Sequence, residues 1–228
     1  SYFVYDAVLN RQDRPLLDEN APLRSLDLAE VDALVADGAV LLDGRTPEEF
    51  AHGHLSGSIN VGLDGRYAEF AGSVVPSDVD IVLVVEPGFE REGRNRLGRI
   101  GFDRVVGHLA DPLGVMAAHP DRTERASRLT VREFEQRRHE LEGVQIVDIR
   151  NPGEVALGLV PGAVTIPVGQ LPERLGELDA TAPTVVYCAG GYRSSVAASL
   201  LRNNGFVDVS DLLGGFGAWV EVTQMPAR

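Results

Sequence analysis

The chain has 228 residues, 44% of them hydrophobic and 24% charged, which excludes an intrinsically disordered chain. The longest apolar runs, such as Ile81–Val85, fall far short of the roughly 20 residues of a membrane-spanning helix, so no membrane partner is expected. The net charge of −13 argues against nucleic acid, whose phosphates need a basic face.

The first residues, Tyr2-Phe3-Val4-Tyr5-Asp6, lack the basic and apolar regions of a signal peptide. The chain opens on Ser1 rather than Met, and a fragment or a processed chain is expected. One cysteine cannot form an internal disulfide, which fits a reducing compartment and a cytoplasmic location.

From Ser25 onward the chain follows one plan twice. A helix over Leu28–Ala36 is expected to be capped by Ser25, and one over Val131–Arg138 by Thr130. Short apolar strands follow at Ala39–Leu42 and Gln145–Val147. Then come Asp43-Gly-Arg45-Thr-Pro47-Glu-Glu49 and Asp148-Ile-Arg150-Asn-Pro152-Gly-Glu154, matched at one constant offset. Further strands are expected at Ser58–Val61 and Val164–Ile166, and buried ones at Ile81–Val85 and Thr184–Tyr187. Helices over Gly93–Ile100 and Ser194–Asn203 close on Gly101 and Gly205, ahead of strands at Val105-Val106 and Val207–Val209. Strands alternating with helices predict an α/β fold with a mostly parallel sheet in each copy. The repeat is the size of a domain, and Asp111–Arg125 is expected to link the two.

The segment Tyr187-Cys188-Ala189-Gly190-Gly191-Tyr192-Arg193-Ser194 carries the chemistry. A buried strand ends at Cys188, where open parallel sheets bind ligands. The paired glycines let the loop turn its N–H groups inward, and a helix N-terminus lies behind them, which makes an anion site. That field favours a thiolate at Cys188 as the nucleophile, with Ala189, Gly190, Gly191, Tyr192, Arg193 and Ser194 as the anion-binding loop. A buried structural cysteine is the plainer alternative. Asp148, Arg150 and Glu154 are expected to brace the turn behind the loop, since the triplet Asp43, Arg45, Glu49 persists in the copy without a cysteine. Phe216, Trp219 and Tyr187 are expected to pack in the core, and Tyr192 to rim the pocket. The His52-Gly53-His54 pair is read as structural, and neither metal nor cofactor is expected.

With these motifs, Pro161-Gly162-Ala163 and the closing Gly214-Gly215-Phe216-Gly217-Ala218-Trp219, the chain resembles the rhodanese superfamily. The resemblance implies two rhodanese-like domains, each a mostly parallel sheet flanked by helices. Residues 1–18 would form an N-terminal arm, 19–115 a catalytically silent domain and 123–228 the catalytic one. It also implies a sulfurtransferase: Cys188 takes sulfane sulfur from thiosulfate or a persulfide, holds it as a persulfide, and passes it to a thiol or cyanide. The six-residue loop Cys188–Arg193 is the length the family uses for sulfur transfer. Related arsenate reductases and phosphatases carry one residue more. A non-enzymatic binding or scaffold module, or a cysteine-dependent phosphatase or arsenate reductase, stays open as an alternative. In the first copy Glu86 is expected where Cys188 stands, within a shorter loop and helix. The family's usual His is replaced at Leu159. The segment from Tyr2 to Leu17 resembles the exit of a metallo-β-lactamase-fold domain, which implies such a domain in the full-length protein.

Overall fold

The computed structural model describes residues 18–224 and divides into two compact units, the first ending at Arg125 and the second beginning at Ala126. In chain order the first holds β1 (Ser25–Leu26), α1 (Leu28–Ala36), β2 (Val40–Asp43), α2 (Pro47–His52), β3 (His54–Leu55), β4 (Ile59–Asn60), α3 (Tyr67–Val74), β5 (Ile81–Val84), α4 (Glu90–Gly98), β6 (Val105–Leu109), α5 (Pro112–Ala118) and β7 (Thr123–Glu124). The second holds β8 (Ser127–Leu129), α6 (Val131–Glu140), β9 (Gln145–Asp148), α7 (Pro152–Val155), β10 (Val164–Thr165), α8 (Leu171–Arg174), β11 (Thr184–Tyr187), α9 (Tyr192–Asn203), β12 (Val209–Leu212) and α10 (Gly215–Gln224).

The two sheets have one topology. The first runs β1-β6-β5-β2-β4 and the second β8-β12-β11-β9-β10, every pair parallel. The central strands, Ile-Val-Leu-Val in β5 and Thr-Val-Val-Tyr in β11, are buried throughout, as strands of a parallel sheet covered on both faces must be. Fully buried Phe50 and Phe134 belong to different units.

Several expectations shift. The cap of α1 is Asp27 rather than Ser25, which pairs in β1. Asp27 accepts from the Glu30 N–H and Glu30 returns a bond to the Asp27 N–H, at 2.9 and 3.0 Å. Thr130 and Glu133 repeat this box on α6, as expected for Thr130. The edge strands β1 and β8 escaped the sequence because two or three residues carry no periodicity. The supposed linker is structured: it forms α5, a 3-10 turn and β7. Because β7 pairs antiparallel with β3, the first unit extends to Arg125, and the second starts at 126 rather than 123. The expected arm, and the segment resembling a metallo-β-lactamase-fold exit, lie outside the described residues up to Leu17. No helix among the described residues is long and apolar enough to cross a membrane.

Candidate active site

Cys188 follows the last residue of β11 and is 2% exposed, while Ala189 and Gly190 beside it are open to solvent. The chain turns at Gly191, whose φ of 106° lies where a side chain is strained. That turn aims the Gly191 N–H at the Cys188 Sγ, 3.0 Å away. Helix α9 begins at the next residue, so its positive end also faces the sulfur. Ser194, one turn in, places Oγ 3.8 Å from Sγ and donates to the Gly191 carbonyl at 2.9 Å. The half-buried Tyr192 opens the helix.

The closing glycines hold this loop from the other side. Phe216 and Gly217 N–H groups, at the start of α10, donate to the carbonyls of Cys188 and Ala189 at 2.7 and 3.2 Å. With those carbonyls drawn away, the Gly191 N–H is left to face the thiol. A side chain on Gly215 would meet the Cys188 oxygen at 2.3 Å, so the clamp requires glycine there.

The bracing residues split into two sets. Asp148 and Arg150 are buried, and Arg150 donates from Nε to Asp148 at 2.9 Å and from Nη2 to the Gly158 carbonyl at 2.7 Å. The Tyr187 hydroxyl donates to Asp148 at 2.6 Å and accepts from the Val160 N–H at 3.1 Å, and burial pushes its pKa up. The Arg150 guanidinium lies 4.0 Å from the Phe216 ring centre, and Phe216 stacks on Trp219, whose indole N–H donates to Glu135. These aromatics pack in the core cluster, as expected. Glu154, in α7, is tied to the loop: Arg193 grips it through both terminal nitrogens at 2.7 and 2.6 Å. Those bonds hold the Glu154 pKa at about 2. The Arg193 charge also lies near the thiol, which, after Glu154, helps to push its own pKa up.

Two residues were not anticipated. Asp211 lies buried in β12 with an oxygen 3.4 Å from Ser194 Oγ, and Arg128 sits 3.3 Å from both its oxygens. Burial raises the Asp211 carboxyl. The expected strand ended at Val209, which left Asp211 in a loop; a carboxylate between two stretches of buried strand was the available signal.

The first copy reproduces the frame without a cysteine. Arg45 grips Asp43 and the Gly53 carbonyl as Arg150 does Asp148 and Gly158. Val84 pairs with Asp43 as Tyr187 pairs with Asp148. The residue standing where Cys188 stands is therefore Val85, not Glu86, and the loop is not shortened: Gly88 and Gly191 each follow three residues later with φ of 97° and 106°. The Gly88 N–H, counterpart of the one on Sγ, is occupied by the Glu90 carboxylate at 3.0 Å. A cavity of about 210 Å³ remains there, lined by Arg45, Glu49, Leu63, Glu86 and Phe89. A hydrogen bond shared with Glu49 pushes Glu86 up. His54 is buried, stacked on Phe50, with Nδ1 2.9 Å from the Phe50 carbonyl, a structural arrangement. No group among the described residues could hold a metal ion.

A buried thiol at the carboxyl end of a parallel strand, with the Gly191 N–H on its sulfur at the start of a helix, is the candidate nucleophile of this structure. The family model for the Rhodanese-like domain matches residues 27–110 and 130–222, and the chain belongs to that family, with two such domains in tandem. A sulfurtransferase of Allochromatium vinosum is 39% identical over 84 residues, 37% of this chain and 78% of that protein. The thiosulfate sulfurtransferase GlpE of Shewanella oneidensis is 42% identical over 82 residues, covering 36% of this chain and 81% of that protein. Among solved structures, a rhodanese-like domain protein from Staphylococcus aureus is 34% identical over 41% of this chain and 90% of that one, with a TM-score of 0.39.

Proposed function

We propose that the second domain transfers sulfane sulfur through a persulfide on Cys188, from thiosulfate or a persulfide to a thiol or cyanide, and that the first domain is silent. The observation that carries this reading is the Gly191 N–H on the Cys188 sulfur, backed by the N-terminus of α9. Together they set the positive ends of backbone dipoles against the sulfur on which the reaction's two anions, thiolate and perthiolate, would form. The relatives named as sulfurtransferases support it. The lone unpaired thiol fits a reducing, cytoplasmic setting, and the N-terminal resemblance supports a larger protein that carries a metallo-β-lactamase-fold domain.

Incubation with a sulfane donor should add one sulfur atom to the intact mass, and Cys188→Ser should remove both the adduct and all turnover. No adduct from any donor would favour a binding module. Cys188-dependent hydrolysis of an aryl phosphate at a comparable rate would favour a phosphatase.

A further inference from the structure

Asp211 has no part in the reading above, yet one side chain joins it to Cys188. On β12 it is in register with Val186 of β11 and Arg128 of β8. It is 2% exposed, and Arg128 Nε lies 3.3 Å from each of its oxygens. Burial raises its carboxyl, and the charges of Arg128 and Arg202 pull against that. Ser194, buried beside it, has one hydroxyl proton to give. The Gly191 carbonyl lies 2.9 Å from its Oγ, Asp211 Oδ2 3.4 Å and the Cys188 sulfur 3.8 Å. Both oxygens are nearer than the sulfur, and a carboxylate draws a donor more strongly than a neutral group. The hydroxyl proton is therefore held away from the sulfur, and the lone pairs of Oγ face the thiol, whose S–H donates to them.

Lone pairs suit a thiol and oppose an anion on the same sulfur. The other charges on the elements around the loop are paired. Arg193 on α9 is held by Glu154 of α7, and Arg150 by Asp148 at the end of β9. Helix α10 opens with Gly215-Phe216-Gly217-Ala218 and brings no charged side chain there. We propose, on the sulfur-transfer reading, that Asp211 is a positioning residue: by fixing the Ser194 proton it restrains the reactivity of Cys188. The adjustment is a rotation of one hydroxyl, and no covalent bond forms or breaks in it. An amide in place of the carboxylate removes the charge and can donate to Ser194 Oγ. The hydroxyl proton is then free to turn to the sulfur. Arg128 can still donate to the amide oxygen, so the substitution strands no buried donor.

The experiment follows alkylation of Cys188 by iodoacetamide in the full chain from about pH 5 to about pH 10, a range that brackets an ordinary thiol. Sulfur loading from thiosulfate or benzyl persulfide is measured beside it. Asp211→Asn should move the alkylation profile to lower pH and raise the rate on its acidic side about ten-fold, as removal of a neighbouring like charge does. It should also speed sulfur loading. In a Ser194→Ala background the same substitution should gain only about three-fold or less, because the hydroxyl transmits the effect. An unmoved profile, or an equal gain in both backgrounds, would overturn the inference. A loosened fold shows itself differently: alkylation quickens with the profile of an unstructured thiol while sulfur loading slows. In that event Arg128→Gln decides, since its side chain is 18% exposed at a strand edge. It leaves the Asp211 charge unbalanced and should move the profile to higher pH, and no movement would overturn the inference. Failure of both donors to load the wild type would overturn the sulfur-transfer reading, while the alkylation profiles still decide the role of Asp211.

Discussion

Gly215 matters for what it lacks. A Cβ there would meet the Cys188 oxygen at 2.3 Å and the Ala189 carbonyl carbon at 2.8 Å, both backbone atoms that cannot turn aside. Gly215→Ala should destabilise the second unit by about 1–3 kcal/mol, the usual cost of forcing an extra methyl into packed structure. It should also lower the sulfur-transfer rate out of proportion to that loss, because the clamp moves the loop's N–H groups. Thermal melts beside single-turnover rates check both parts. Glu154 gives a pH signature. Its pKa is lowered from 4.5 to about 2 by Arg193, so the pair's contribution to stability is complete above about 4.5 and is lost as pH falls towards 2. The melting temperature of wild type minus that of Glu154→Gln should shrink across that window, and a difference constant from pH 6 to pH 2 would show that the pair adds nothing. The Cys188 loop was legible because strand, cysteine, glycines and arginine are contiguous. The Glu154–Arg193 pair was not, since a bond between residues 39 positions apart depends on where the sheet places them.

At the scale of elements, repetition was the strongest signal and also the source of an error. Motif spacing alone sets Glu86 against Cys188. Matching strand registers puts Val85 there, because Val84 and Tyr187 pair with equivalent aspartates. Installing a thiol at the proper place, Val85→Cys in a Cys188→Ser background, should still give a chain that takes up no sulfur. The Glu90 carboxylate already fills the N–H that would face the new thiol, and Glu49 and Glu86 add negative charge nearby. Intact mass after incubation with a persulfide checks this, and a sulfur adduct on that variant would show that the carboxylate is no barrier. Long elements with clear periodicity were legible. The two-residue β1 and the α3 helix were not. The former makes only one edge pairing, and the latter buries Tyr67, Phe70, Ala71 and Val74, whose helical spacing went unused beside the glycines that precede it.

For the whole molecule, composition fixed the class and the internal repeat fixed the plan, down to a sheet order shared by both units. Where one unit ends was not legible, because β7 joins the first through two residues that pair with β3. The acidic balance makes its own prediction: with a pI near 4.8, solubility should pass through a minimum close to that pH and recover on either side, as turbidity will show. A minimum near neutral pH would mean that carboxylates are neutralised far more widely than the ion pairs around Cys188 imply.

Among the 228 residues Cys188 is the lone thiol, and it is almost wholly buried. A persulfide formed there would find no second cysteine among these 228 residues to collapse it into a disulfide. Discharge therefore waits for a collision, and the concentration of acceptor sets how long the charged state lives. Deprived of acceptor, the loaded chain should persist as an isolable, countable species, one sulfur per molecule, a chemical record of the last donor it met.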